Sequence, residues 1–144
     1  LCWAASSATI IKYKTGISFS ATSLADKYNM SYNIGGSMSQ VKKILADFGL
    51  SYKTLLSRMQ WTQIKENINA DKPFIIFMKG KDKEKNVKHT LTGYGYGCII
   101  RDTAANIRTV YAWDPNGEKI SFLYESASTI VTSGYLLSWE SSVY

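Results

Sequence analysis

The chain has 144 residues, 45% of them hydrophobic and 19% charged, which predicts one globular domain able to bury roughly two-thirds of its unfolded surface. No apolar run approaches the roughly 20 residues that cross a bilayer, so a membrane-spanning helix is excluded, and no charged-then-apolar leader precedes the first motif. The net charge is +6, but much of it is concentrated in KGKDKEKNVK, Lys79 to Lys88, interleaved with Asp82 and Glu84. That mixed-sign stretch reads as a solvated loop, not as the basic, aromatic-interleaved face that nucleic-acid binding requires.

In chain order, residues 2–14 are small or apolar, with Trp3, Ile10, Ile11 and Tyr13 outlining a buried helix that Gly16 ends. Ser20 is placed to cap a short second helix to Tyr28. Ser37 and Gln40 form a Ser-x-x-Gln capping pattern ahead of Val41, Ile44, Leu45 and Phe48, and Gly49 stops that helix. After a short strand over 52–56, Ser57 and Gln60 repeat the pattern, and Trp61, Ile64 and Ile68 carry a fourth helix to about Asn69. From Pro73 the periodicity changes to strand-like runs at 73–79, 88–100, 107–114, 119–124 and 133–139, separated by turn residues. A helical half followed by an antiparallel sheet predicts an α+β fold with a cleft where the halves meet.

Three residues carry the chemistry. Cys2 opens the first helix, where the helix N-terminus favours a thiolate; the alternative is a small buried hydrophobe at a helix end. His89, the one histidine, is the single imidazole available as a general base; its alternative is a satisfied core histidine. Asp114, in AWDPNG, would favour the imidazolium and fix its tautomer if the fold buries it beside His89, although Asp-Pro-Asn-Gly is also a turn signal in its own right. Asn116 is the back-up for this third place. Trp113 either shields a His–carboxylate bond or points away, since strand neighbours face opposite sides. Cys98 in GYGCII is expected as a buried free thiol. One histidine and two separated cysteines exclude a zinc site, and no cofactor is implied. Gly93, Gly95 and Gly97 form a GxGxG string inside a strand, with no helix after it, so close backbone packing replaces a phosphate-loop reading.

LCWAAS at a helix start, HTLTGYGY on a later strand and AWDPNG on the next, in that order, resemble a papain-like cysteine peptidase. The resemblance is to bacterial branches near the bacteriocin-leader peptidases, staphopains and streptopain. It implies Cys2 as nucleophile, His89 as base and acid, Asp114 as the orienting group, and a peptide or protein substrate, with a propeptide or inhibitor as a further partner. The resemblance also implies a glutamine about six residues before the nucleophile. Only Leu1 precedes Cys2, and Gln40, Gln60 and Gln63 lie elsewhere, so the chain is expected to be cut from a longer precursor, secreted or extracellular. Richness in Lys, Ile, Tyr and Asn fits a low-GC bacterial source. Two alternatives share the motifs: a thiol amidase or transpeptidase on isopeptide or cell-wall substrates, and a catalytically silent peptide-binding domain.

Overall fold

The computed structural model describes residues 1–33 and 35–144. Helix α1 (Cys2–Thr15) is built from small residues where it meets the sheet: Ala4, Ser6, Ser7 and Ala8 are buried with Trp3, Ile10 and Ile11. Ser7 donates its hydroxyl to the Trp3 carbonyl at 2.7 Å, and Ser6 meets Thr90 of the sheet at 2.8 Å, so neither buried hydroxyl is left without a partner. Gly16 ends the helix in the left-handed region, φ 79°, its N–H donating to the Lys12 carbonyl, as glycine does without a Cβ penalty. Tyr13 departs from expectation. It is 60% exposed, because the last turn of α1 overhangs the sheet and all of residues 12–15 face solvent; its hydroxyl reaches Asp71 instead.

Ser20 caps α2 (Ala21–Lys27) by accepting from the Ser23 N–H. In α3 (Met38–Asp47) both bonds of the capping box form, Gln40 N–H to Ser37 Oγ at 3.1 Å and Ser37 N–H to Gln40 Oε1 at 2.8 Å. Val41, Ile44 and Leu45 form its buried stripe. Helix α4 (Trp61–Asn69) begins three residues later than the Ser57 pattern predicts. Gln60 is its N-cap residue and donates its N–H to Gln63 Oε1 at 2.8 Å, while Ser57 bonds the Arg58 carbonyl. Met59 and Ile64 decide the register: both are fully buried in one cluster, flanking the cap as a hydrophobic staple.

The sheet has seven antiparallel strands, β1 (Thr54–Leu55), β2 (Phe74–Asp82), β3 (Lys85–Ile99), β4 (Ile107–Asp114), β5 (Glu118–Leu123), β6 (Ile130–Thr132) and β7 (Tyr135–Val143). Their order is β1-β7-β2-β3-β4-β5, with β6 paired to β7. The α+β expectation therefore holds, with two differences in detail. The lysine-rich stretch is no loop: β2 and β3 stay paired from Phe74–Gly93 to Asp82–Lys85, a long hairpin whose tip holds Lys83 at φ 59°. The three-residue β6 and the 3-10 turn before it (Tyr124–Ser126) are too short to show a period in the sequence.

Alternation on β2 gives the sheet two cores. Ile75 and Phe77 join Trp3, Ile10, Leu24 and Leu45 on the α1 side, whereas Phe74, Ile76 and Met78 join Ile64, Leu91 and Trp139 on the other. Burial on both faces fixes register, because a one-residue slip would exchange the two sets. At Gly93 a Cβ would lie 2.2 Å from the Phe74 ring, so close packing accounts for this glycine. Cys98 is exposed and free, contrary to the expected buried thiol. Strand β3 runs past the covered part of the sheet there, leaving Ile99 and Ile100 exposed as well. Among the described residues no helix is long and apolar enough to cross a membrane.

Candidate active site

The first residue of α1 and the middle of β3 converge on one cleft of about 290 Å³, lined by Cys2, Trp3, His89 and Thr90 together with Gly35 to Met38, Phe77 to Lys79, Lys88, Glu140 and Ser141. Cys2 is half-buried and sits at the first helical position. The first intrahelical bond is Ala5 N–H to the Leu1 carbonyl at 3.0 Å, so the Cys2 N–H has no partner within the helix and points out of its positive end. Trp3 is buried beneath the facing loop. A Cβ on Gly36 would come within 2.8 Å of its ring, which is why that wall of the cleft is glycine.

His89 and Asp114 meet across the β3–β4 register. His89 Nε2 lies 3.0 Å from Asp114 Oδ2, which leaves Nδ1 as the ring nitrogen available to the Cys2 thiol. Asp114 is completely buried, and its two oxygens are fully engaged. Thr132 and Ser133 donate their hydroxyls to Oδ2 at 2.6 and 2.8 Å, and the Asn116 N–H donates to Oδ1 at 2.9 Å. Ser133 also lies 3.3 Å from His89 Nε2. It holds φ 53° in the β6–β7 turn. The Asn116 side chain does not touch the ring; its Nδ2 donates to Ser133 Oγ at 2.6 Å. Trp113 faces away, lining a separate hollow of about 420 Å³ with Thr9, Tyr13 and Thr92 that contains neither Cys2 nor His89.

The three groups stabilise each other's charged forms. Burial pushes the Asp114 carboxyl up, but Thr132, the Asn116 N–H, Ser133 and His89 outweigh it and hold the group below the usual carboxylate range. Burial pushes the His89 ring down, yet the Cys2 thiol and Asp114 outweigh that and raise it above the ordinary imidazole value. Burial likewise pushes the Cys2 thiol up. The His89 ring and the Thr90 hydroxyl overcome it and leave the thiol below its ordinary value. A depressed thiol beside an elevated imidazole shifts the pair toward thiolate and imidazolium, the nucleophile and proton donor that acyl transfer needs.

Sequence reasoning named Cys2, His89, Asp114 and Asn116, and the structure brings the first three to one place. It missed Thr90, Thr132, Ser133 and the Gly36 wall. Thr90 had a signal, as the neighbour of the only histidine, and Ser133-Gly134 is a turn dipeptide; Thr132 had none. None of Gln40, Gln60 and Gln63 lines the cleft. Gln40 caps α3, Gln60 heads α4, and Gln63 donates to the Tyr144 hydroxyl.

A thiol at the start of a buried helix, opposed by an imidazole–carboxylate pair from an antiparallel sheet, defines the papain-like class of cysteine peptidases. The chain belongs within it to the Peptidase_C39 like family, whose model matches residues 1–143. No curated protein matches the sequence.

Proposed function

We propose that this chain hydrolyses peptide bonds, with Cys2 as nucleophile, His89 as acid and base, and Asp114 as the orienting carboxylate. The thiolate attacks the carbonyl carbon, and the oxyanion that forms accepts from the Cys2 N–H at the positive end of α1. The C–N bond then breaks as the imidazolium gives its proton to the leaving amine, leaving a thioester. Neutral His89 next takes a proton from water, whose oxygen attacks the thioester, and the Cys2 thiolate is released. Asp114 keeps Nε2 protonated throughout, so Nδ1 always faces the reacting atoms.

The observation that carries this reading is the convergence of residues 2, 89 and 114 on one cleft, with the thiol depressed and the ring elevated. Hydrolysis is favoured over a silent binding role because such a pairing activates the thiol, which binding alone does not require. The test is stoichiometric labelling by a vinyl-sulfone peptide, alongside digestion of a peptide library read by mass spectrometry. Cys2 is expected to carry the label, and Cys2→Ala is expected to abolish both labelling and cleavage with the fold intact. Labelling confined to Cys98, or cleavage that survives Cys2→Ala, refutes the assignment.

A further inference from the structure

The base of the lysine-rich hairpin sets two like charges at the cleft, and the hydrolytic steps give neither of them a part. Lys79 and Lys88 are direct partners across β2 and β3. Residues directly opposite in an antiparallel pair project from the same face with Cβ atoms roughly 5 Å apart. Both are exposed, and both line the cleft that holds Cys2 and His89. Like charges facing one another destabilise a hairpin, and no ion pair among the described residues relieves them. Among the described residues the ion pairs are His89–Asp114 and Arg108–Glu125, so neither lysine has a carboxylate within 4 Å.

The surroundings reinforce this sign of charge. Farther along the same hairpin lie Lys81, Lys83 and Lys85, against Asp82 and Glu84. The opposite wall, Gly35 to Met38, carries no charged side chain. Among the described residues Glu140 is the one acid that lines the cleft. It is the residue skipped where β7 shifts register against β2, between Ser141 opposite Phe77 and Trp139 opposite Met78, and a bulge of this kind re-aims a side chain.

We propose that Lys79 and Lys88 form a carboxylate clamp, so that the cleft selects peptides with an Asp or Glu side chain close to the scissile bond. This rests on the peptidase reading and deepens it by naming the substrate class. A carboxylate between the two ammonium groups screens their mutual repulsion and gains two charge-assisted hydrogen bonds. A lysine in the same place of the substrate adds a third cation and is rejected. Glu140 competes weakly for the clamp, so Glu140→Gln sharpens the preference.

The experiment starts from a parent peptide captured from a library by the Cys2→Ala protein, remade with Glu, Gln or Lys at each position in turn. Dissociation constants are measured on Cys2→Ala protein, and kcat/KM on the wild type. At one position or more, Glu is expected to bind about five- to tenfold tighter than Gln, the sum of two exposed charge pairs, and Lys more weakly than Gln. Lys79→Glu with Lys88→Glu should reverse the order. Lys81→Gln with Lys83→Gln, at the hairpin tip outside the cleft, should preserve it. The clamp is overturned if no position separates Glu from Gln, or if the tip variant erases the preference as fully as Lys79→Gln with Lys88→Gln does. The binding arm needs no chemistry. Glu preference without turnover therefore sinks hydrolysis and keeps the clamp, turnover without preference does the reverse, and capture of no peptide at all sinks both.

Discussion

Replacing Asp114 by Asn removes one buried negative charge with almost no change in shape, and the chain's single histidine reports the result directly. At 3.0 Å from Nε2, a full charge in a medium of effective dielectric near 20 attracts the imidazolium by roughly 5 kcal/mol. The net value is smaller. Thr132, Ser133 and the Asn116 N–H already share that charge, and burial of the ring opposes it, so the range for a charge-assisted hydrogen bond, roughly 1.5–3 kcal/mol, applies. A loss of about 2 kcal/mol moves the titration midpoint of the ring roughly 1.5 pH units lower. The sign follows from the raised wild-type value, since removing a cause of the elevation must bring the midpoint down. With one histidine in the chain, the imidazole proton resonance in an NMR titration belongs to His89 without assignment. Alkylation of Cys2 near neutral pH should slow in parallel, because fewer imidazolium partners hold the thiolate. A midpoint that stays within about 0.3 pH units of wild type, or rises, would refute the electrostatic role given to Asp114.

Asp114→Ala should lower kcat/KM more than Asn116→Ala, whose side chain reaches the ring only through Ser133; steady-state kinetics on one peptide decides, and greater sensitivity at Asn116 would reassign the third member. Gly36→Ala sets a Cβ 2.8 Å from the buried Trp3 ring and should destabilise by about 1–3 kcal/mol while reducing turnover. Gly35→Ala meets nothing within 4 Å and should leave urea unfolding near wild type, so equal effects at the two positions would contradict the packing argument. On the acid side, the depressed Asp114 carboxyl contributes stability that is complete above its unfolded value, about pH 4, and is lost as pH falls through the lower folded value. Thermal unfolding of wild type should therefore steepen its decline in that acid window, and Asp114→Asn should flatten it.

The parts of this molecule written in local chemistry were legible in its sequence. The Ser37–Gln40 box and the Gly16 stop depend on neighbours a few residues apart and stand where the pattern puts them. The strand runs after Pro73 exist where expected, but β2 and β3 continue through the lysine-rich stretch and β7 runs on to Val143. The second box was misplaced because Ser57, Gln60 and Gln63 offer two registers at the same spacing; burial of Met59 against Ile64, a tertiary fact, chooses between them. Tyr13 and Cys98 were expected inside because their neighbours are apolar. Each lies where an element runs beyond the layer that covers it, and no local pattern marks the end of that cover. At the site, Cys2, His89 and Asp114 stood out as rare types in distinctive strings. Thr132 and Ser133, which supply half of the hydrogen bonds to Asp114, are common polar residues at the end of the three-residue β6 and in the turn after it, and only the folded register brings them near.

Ser133 holds a left-handed backbone conformation that an L-residue adopts at a penalty on the order of 1 kcal/mol, and which glycine takes freely. The next residue, Gly134, is left-handed too, so the turn itself would be served better by two glycines. What serine adds is a hydroxyl that touches both Asp114 and His89. Ser133→Gly relieves the backbone but takes from a buried carboxylate a charge-assisted hydrogen bond worth roughly 1.5–3 kcal/mol, which outweighs that relief. In this one turn robustness and reactivity hang on the same hydroxyl, so chains selected in the laboratory for heat resistance alone should keep the serine and its strained backbone.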